Sequence, residues 1–256
     1  MSAFPGKQRA ALLDPNHREP LIDLGVVATV GGDALRGQQY RAPEFQTDAA
    51  KADAVVAQLS AAHGSLHTSF EALQQACRVQ DPAMTEQANF LDLHKRANAW
   101  IDGEAKRFTT ARTQAETTIE GIDNDIRARL EISDGPRSNE IRTHFKAMKD
   151  GDRLSLALKA IETGDKETMA ALLIGPAYLS GLKDEQQTML RNQMAEKFAG
   201  DLVTRKKVIE KGIATNSRAF DEALLAVDRI FPRHRVDEIT NAIQAAKKIK
   251  DDFRKL

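Results

Sequence analysis

The chain has 256 residues, of which 29% are charged and 5% aromatic, and its 37 Lys plus Arg balance its 37 Asp plus Glu. Zero net charge excludes a global field drawing it to nucleic acid or an acidic membrane. So few aromatics fit narrow helical seams better than a thick globular centre. One cysteine, Cys77, excludes an internal disulfide, and a reducing compartment is the simpler setting.

Residues 1–46 hold four of the eight prolines and five of the fifteen glycines, which excludes a long helix there. Leu21, Ile22, Leu24, Val26, Val27 and Val30 give this stretch an apolar, β-branched centre that ends at Gly31-Gly32-Asp33. It reads as an extended arm that either packs on its own helices or lies on a neighbouring subunit, adding a strand there. The opening Met1-Ser2-Ala3-Phe4-Pro5-Gly6-Lys7 lacks the layout of a signal peptide. No apolar run approaches the roughly 20 residues that span a bilayer.

Residues 47–134 read as a long helical hairpin. Thr47 and Asp48 open a first helix whose stripe is Ala52, Val56, Leu59, His63, Leu66, Phe70, Leu73 and Cys77, at alternating spacings of four and three. Asp81 and Pro82 start a second helix that runs to about Ile132. Its stripe is Leu91, His94, Asn98, Ile101, Ala105, Phe108, Arg112, Ala115, Ile119, Ile122 and Ile126, and Asp134-Gly135-Pro136 follows as a stop. The pattern predicts an antiparallel register in which facing positions sum to about 160. The first helix then runs out near Arg112, and Ile119, Ile122 and Ile126 must be covered by the C-terminal helices or by another chain. His63, His94 and Asn98 form a predicted polar layer in the seam.

Residues 137–182 read as a short-helix module. Ser138 precedes Ile141 to Phe145, a second helix holds Leu154, Leu156, Leu158 and Ile161, Gly164 and Asp165 read as a stop and a fresh N-cap, and Thr168 to Ile174 ends at Gly175-Pro176. Residues 183–256 read as a C-terminal helical hairpin. Its first helix runs to Phe231 with Lys206 and Asn216 as polar seam positions, Gly200 and Gly212 weaken it by about 1 kcal/mol each relative to Ala, and Pro232 breaks the chain before a last helix carrying Val236, Ile239, Ile243, Ala246 and Phe253. The fold class is therefore all-α: elongated, coiled-coil-like antiparallel hairpins, a small helical module and an extended N-terminal arm.

Little in this pattern supports chemistry. His63 and His67 share a helix face, as zinc ligands do, yet two further ligands are not placed beside them. Cys77 has no activating His, and no Gly-x-Ser-x-Gly elbow occurs. Asp123 and Asp125 sit mid-stripe without the rest of a calcium loop, and Gly25 to Gly37 lacks the ending of a phosphate-binding loop. The chain is read as a non-enzyme, with no catalytic, cofactor or metal residues. Residues 197–256 carry 14 Lys plus Arg against 9 Asp plus Glu. Arg205, Lys206, Lys207 and Lys211 form one candidate phosphate-binding cluster, and Arg233 and Arg235, at a helix start, form another. The competing reading is a solvated face compensated by nearby acids. No aromatic interleaves these bases, which disfavours stacking on single strands.

The stretch Glu162-Thr163-Gly164-Asp165-Lys166-Glu167-Thr168-Met169-Ala170-Ala171-Leu172-Leu173, continuing into Gly175-Pro176-Ala177-Tyr178-Leu179-Ser180-Gly181-Leu182, resembles segments of helical proteins of unassigned role in the structural gene modules of tailed bacteriophages. The likeness spans about residues 140–200 and contains no chemical motif. It implies a virion or virion-assembly component, found in the host cytoplasm during assembly and then in the particle. The expected partners are other copies of the chain or other virion proteins, with Leu21, Ile22, Val26, Val27, Ile119, Ile122 and Ile126 as candidate contacts. A DNA-associated protein using the basic clusters and a membrane-active helical protein are the alternatives; neither nucleic acid nor membrane is the favoured partner.

Overall fold

The computed structural model describes residues 21–130 and 133–254. They form nine α-helices: α1 (Leu24–Thr29), α2 (Asp48–Ala52), α3 (Ala54–Ala76), α4 (Glu86–Leu130), α5 (Ser138–Ala147), α6 (Asp150–Thr163), α7 (Lys166–Leu173), α8 (Asp184–Ile230) and α9 (Arg233–Phe253). Short 3-10 turns at Asp33–Leu35, Gln39–Arg41, Pro43–Phe45 and Ala177–Leu179 complete the regular structure. No strand occurs among the described residues, and the fold is all-α.

Two compact units organise the chain, each assembled from non-consecutive segments. The first comprises Met1–Ala42, Gln58–Ala111 and Ala214–Leu256; the second comprises Pro43–Ala57 and Arg112–Ile213. Helices α3, α4 and α8 contribute residues to both. Residues 46, 134 and 182, where the sequence divides into segments, lie in connections between helices.

In the first unit α4 is flanked by α3 and α8. Phe70 of α3 meets Trp100 of α4 with ring centroids 6.2 Å apart, and Phe108 of α4 meets Phe220 of α8 at 5.5 Å. Phe90 closes the same layer against Phe231 at 5.4 Å. The α3 stripe is buried as its spacing predicts, from Val56 through Leu59, His63, Leu66, Phe70 and Leu73 to Cys77, while Ala52 is exposed. On α4 Phe108, Ala115 and Ile122 of the predicted stripe are buried, but one of its two lines is turned by one residue: Phe90, Ala97, Glu104 and Ala111 are inside, where Leu91, Asn98, Ala105 and Arg112 were expected. A helix with a neighbour on each side buries a wider stripe than a two-stranded seam requires.

The hairpin register also differs. Phe70 faces Trp100 rather than Phe90, and Ser65 bonds Glu104, because the second helix starts later than expected. Asp81 spends its carboxylate on the Ala83 amide, closing the turn at 2.8 Å, and Thr85 caps α4 by accepting from the Ala88 amide. The first helix is likewise broken. Asp53 is extended (φ −78°, ψ 115°) and caps α3 through the Val55 and Val56 amides.

The predicted polar layer of His63, His94 and Asn98 does not form. The His63 ring donates from Nε2 to the Ala34 carbonyl at 2.8 Å and stands edge-on to Tyr40. His94 instead accepts from Asn98 on its own helix and lies against Phe231. Asn216, by contrast, is buried as a polar seam position.

The described part of the expected arm, residues 21–46, is not extended. Asp23 accepts from the Gly25 and Val26 amides and starts α1, and the chain continues through three 3-10 turns. Gln74 donates to the Val27 and Val30 carbonyls, and His67 donates to the Leu35 carbonyl. Residues 1–20 of the expected arm lie outside the described residues.

The second unit contains the short-helix module, folded as the punctuation predicts. Gly164 ends α6 in the left-handed conformation (φ 75°), and Asp165 caps α7 through the Thr168 amide. Phe145, Ile161, Met169, Leu172, Leu190 and Met194 form its core. Ser138 turns inward and accepts from the Gly135 amide. Two buried arginines, Arg142 and Arg153, gather carbonyls at the C-terminal ends of α7 and α5. Helix α8 departs from helical geometry at Ala199 (φ −141°, ψ 35°), next to Gly200.

Candidate interaction surface

Of the residues assigned to partner contacts, Val27 and Ile122 are buried by the chain itself and are closed to any partner. Val27 sits beneath the turns that Gln74 and His67 hold down. Ile122 lies where α4 meets α8, beside the Lys206 to Asp123 ion pair at 2.6 Å. At Ile122 the α4 stripe is therefore covered by this chain itself. Leu21, Ile22, Val26, Ile119 and Ile126 are half-buried.

The basic residues at 205–211 do not converge on a common point. Arg205 bonds Asp53 at 2.6 Å, Lys206 bonds Asp123, Lys207 bonds Glu196 at 2.8 Å, and Lys211 pairs with Glu44. Burial pushes the Asp53 carboxyl up, but the Arg205 guanidinium and the Val55 and Val56 amides outweigh it and hold the pKa below the usual range. Arg235 donates to the Leu21 carbonyl at 3.0 Å, while Arg233 is exposed at the start of α9.

Titratable groups in the first unit are engaged in structure. His63 is pushed below its ordinary pKa, chiefly by burial and further by neighbouring His67, against a rise from the Ala34 carbonyl. Burial raises the Cys77 thiol to about 11. Glu104 is buried, and its Oε1 accepts from Ser65 and Arg107. Its Oε2 and the Trp100 indole nitrogen, one turn away, make no hydrogen bond. No group of three or more His, Cys, Asp or Glu able to hold a metal occurs among the described residues.

Two grooves of about 660 Å³ mark the surface. One, in the second unit, lies between the helix breaks at Asp53 and Ala199 and is lined by small residues such as Ala49, Ala52, Gly200 and Thr204, with the Asp53 to Arg205 pair at its wall. The other, in the first unit, runs along α9 past Leu21, Glu86, Ile239, Ala242, Ile243 and Ala246. Leu21 is held at its edge, donating to Glu86 Oε1 at 2.8 Å and accepting from Arg235.

Helix α9 carries the most exposed apolar side chains. Ile239 is buried, but Ile243 is 47% exposed, Ile249 71% and Phe253 76%. Val236, Ile239, Ile243, Ala246 and Phe253 follow the three-four spacing of a face that meets another helix. The stripe itself is readable in the sequence; that half of it stays uncovered is not. No described helix is long and apolar enough to cross a membrane. The chain matches no family model, no curated protein and no solved structure.

Proposed function

We propose that this chain is a non-enzymatic structural or assembly protein, a component of a bacteriophage particle acting through contacts between helix faces. The observation that carries this reading is the uncovered end of α9, where the side chains of Ile243, Ile249 and Phe253 are exposed. The phage-like stretch from Glu162 to Leu182 supports it independently, and its partners are other copies of the chain or other virion proteins. The test is immunodetection of the chain in density-purified particles and assembly intermediates of the phage that encodes it. Fixed stoichiometry across preparations is the expected result. Absence from both fractions overturns the reading.

The DNA-associated reading ranks second, because the cations at 205–211 are each committed to a carboxylate. Duplex binding that falls steeply with added salt would promote it.

A further inference from the structure

We infer that residues 31–39 are an acid-operated strap: protonation of the His63 ring releases this segment from α3 and α8 while the helices stay packed. The device is separate from the assembly reading, and neither depends on the other.

The strap is gripped from both sides at one residue. His63 of α3 donates to the Ala34 carbonyl at 2.8 Å, and the Ala34 amide donates to Glu222 Oε2 of α8 at 3.2 Å. One turn along α3, His67 holds the Leu35 carbonyl at 2.9 Å. Ala34 and Leu35 are buried, whereas Asp33, Arg36, Gly37 and Gln38 are exposed. The segment also bonds itself. The Leu35 amide donates to the Gly32 carbonyl, and the Arg36 amide and the Gln39 side chain donate to the Asp33 carbonyl. These bonds travel with the segment, so it can open as a small local unit. Its flanks are held by groups that mild acid leaves unchanged: Gln74 on the Val27 and Val30 carbonyls, and Asn216 on the Tyr40 hydroxyl.

The strap is also what hides the His63 ring, whose Nε2 ends on Ala34 and whose edge meets Tyr40 at 5.6 Å between centroids. A second proton there places a charge on a residue only 3% exposed, away from the water that would solvate it. Lifting the strap returns water to the ring without parting α3 from α4 or α8. Nearby charges offer little relief. On α3, His67 stands one turn away with Glu71 at 3.6 Å from its own Nε2. On the strap Asp33 pairs with Arg36, on α4 Glu104 is engaged by Arg107, and on α8 Glu222 accepts from the Ala34 amide. Burial accordingly holds His63 below its ordinary pKa, His67 adds to this, and only the Ala34 carbonyl opposes it. The open strap therefore binds the proton more tightly, and opening becomes easier as pH falls through the solvated value of about 6.5.

Hydrogen exchange of the full chain at pH 7.5 and 5.5, with each rate divided by its intrinsic chemical rate, tests the device. Protection of the Ala34 and Leu35 amides should fall by about five- to tenfold, the effect of one proton. At both pH values these amides should exchange faster than those of α4 and depend far less on low urea, because a local opening exposes little surface. His63→Gln, which keeps a donor but cannot take up the proton, should flatten the pH dependence, and Glu222→Gln should leave it in place. Strap protection that ignores pH, an equal fall in His63→Gln, or strap and α4 amides sharing one rate and one urea slope would each overturn the inference. Should His63→Gln fail to fold, the wild-type imidazole titration by NMR decides: a His63 midpoint below about 6.5 is expected, and one at or above it sinks the strap.

Discussion

The Tyr40 hydroxyl donates to Asn216 Oδ1 at 2.9 Å, and the same amide donates from Nδ2 to the Leu59 carbonyl at 3.0 Å. One buried side chain thus ties α8 both to α3 and to the 3-10 turn Gln39–Arg41. Burial also pushes the Tyr40 phenol well above its ordinary range, so this donor keeps its proton throughout the working pH range. Asn216→Ala removes both bonds and leaves a buried carbonyl without this donor, a loss of about 2 kcal/mol. Tyr40→Phe removes one bond, about 1 kcal/mol. Urea unfolding of both singles and the double should show that the losses do not add.

Acidification is expected to destabilise the first unit before any carboxylate titrates. The folded pKa of His63 lies below the unfolded value near 6.5, so the unfolded chain binds the extra proton first. Stability is then full above pH 6.5 and declines as pH falls below it. His94, also lowered by burial although Asp228 opposes this, adds to the same slope. Melting temperature between pH 7.5 and 5.5 should fall for wild type and fall less steeply for His63→Gln.

Arg153 donates to the carbonyls of Phe145, Met148, Lys146 and Gly181 and to Asp150, all from one buried guanidinium. Arg153→Met should cost about 3 kcal/mol, because several carbonyls lose their donor together. Arg153→Lys should recover little, since an ammonium cannot reach that fan of acceptors. Gly181→Ala should cost about 1–2 kcal/mol for its left-handed backbone. The added Cβ would also stand 2.9 Å from the Arg153 Cζ. Chemical denaturation of each variant decides.

Gly64, Gly103 and Gly121 lie inside α3 and α4 with open space where a Cβ would go. Each Gly→Ala change should stabilise by about 0.5–1 kcal/mol, and the triple variant should gain close to the sum. A higher melting temperature with an unchanged sedimentation profile is the expected result.

Cys77 should be slow toward thiol reagents while the chain is folded. Its thiol is buried, and at about 11 its pKa leaves little thiolate at pH 8. Reaction with a chromogenic disulfide should be slow in buffer and complete in denaturant.

What the sequence discloses of the fold divides along physical lines. Local punctuation was legible: Gly164, Asp165 and Pro232 end or begin helices where their backbone chemistry requires. The α3 stripe was legible because its neighbours lie along one face. The α4 stripe was legible in part: Phe108, Ala115 and Ile122 are buried as its spacing predicts, while flanking by α3 and α8 also draws Phe90, Ala97 and Glu104 inside, a combination no a/d pattern marks. Only the assembled fold reveals the carbonyls that Arg142 and Arg153 gather. The basic run at 205–211 read as a phosphate cluster because the sequence separates Arg205 from Asp53 and Lys206 from Asp123.

Guanidinium struts and imidazole latches age differently as the solution changes. Arg142, which holds the Ala171 and Ile174 carbonyls, carries a charge that no accessible pH removes. The braces of the short-helix module are therefore indifferent to acid. The turn fastened through His63 to Ala34 is not, because protonation would place a charge in a buried ring. One polypeptide thus combines permanent joinery with a fastening that mild acid can undo.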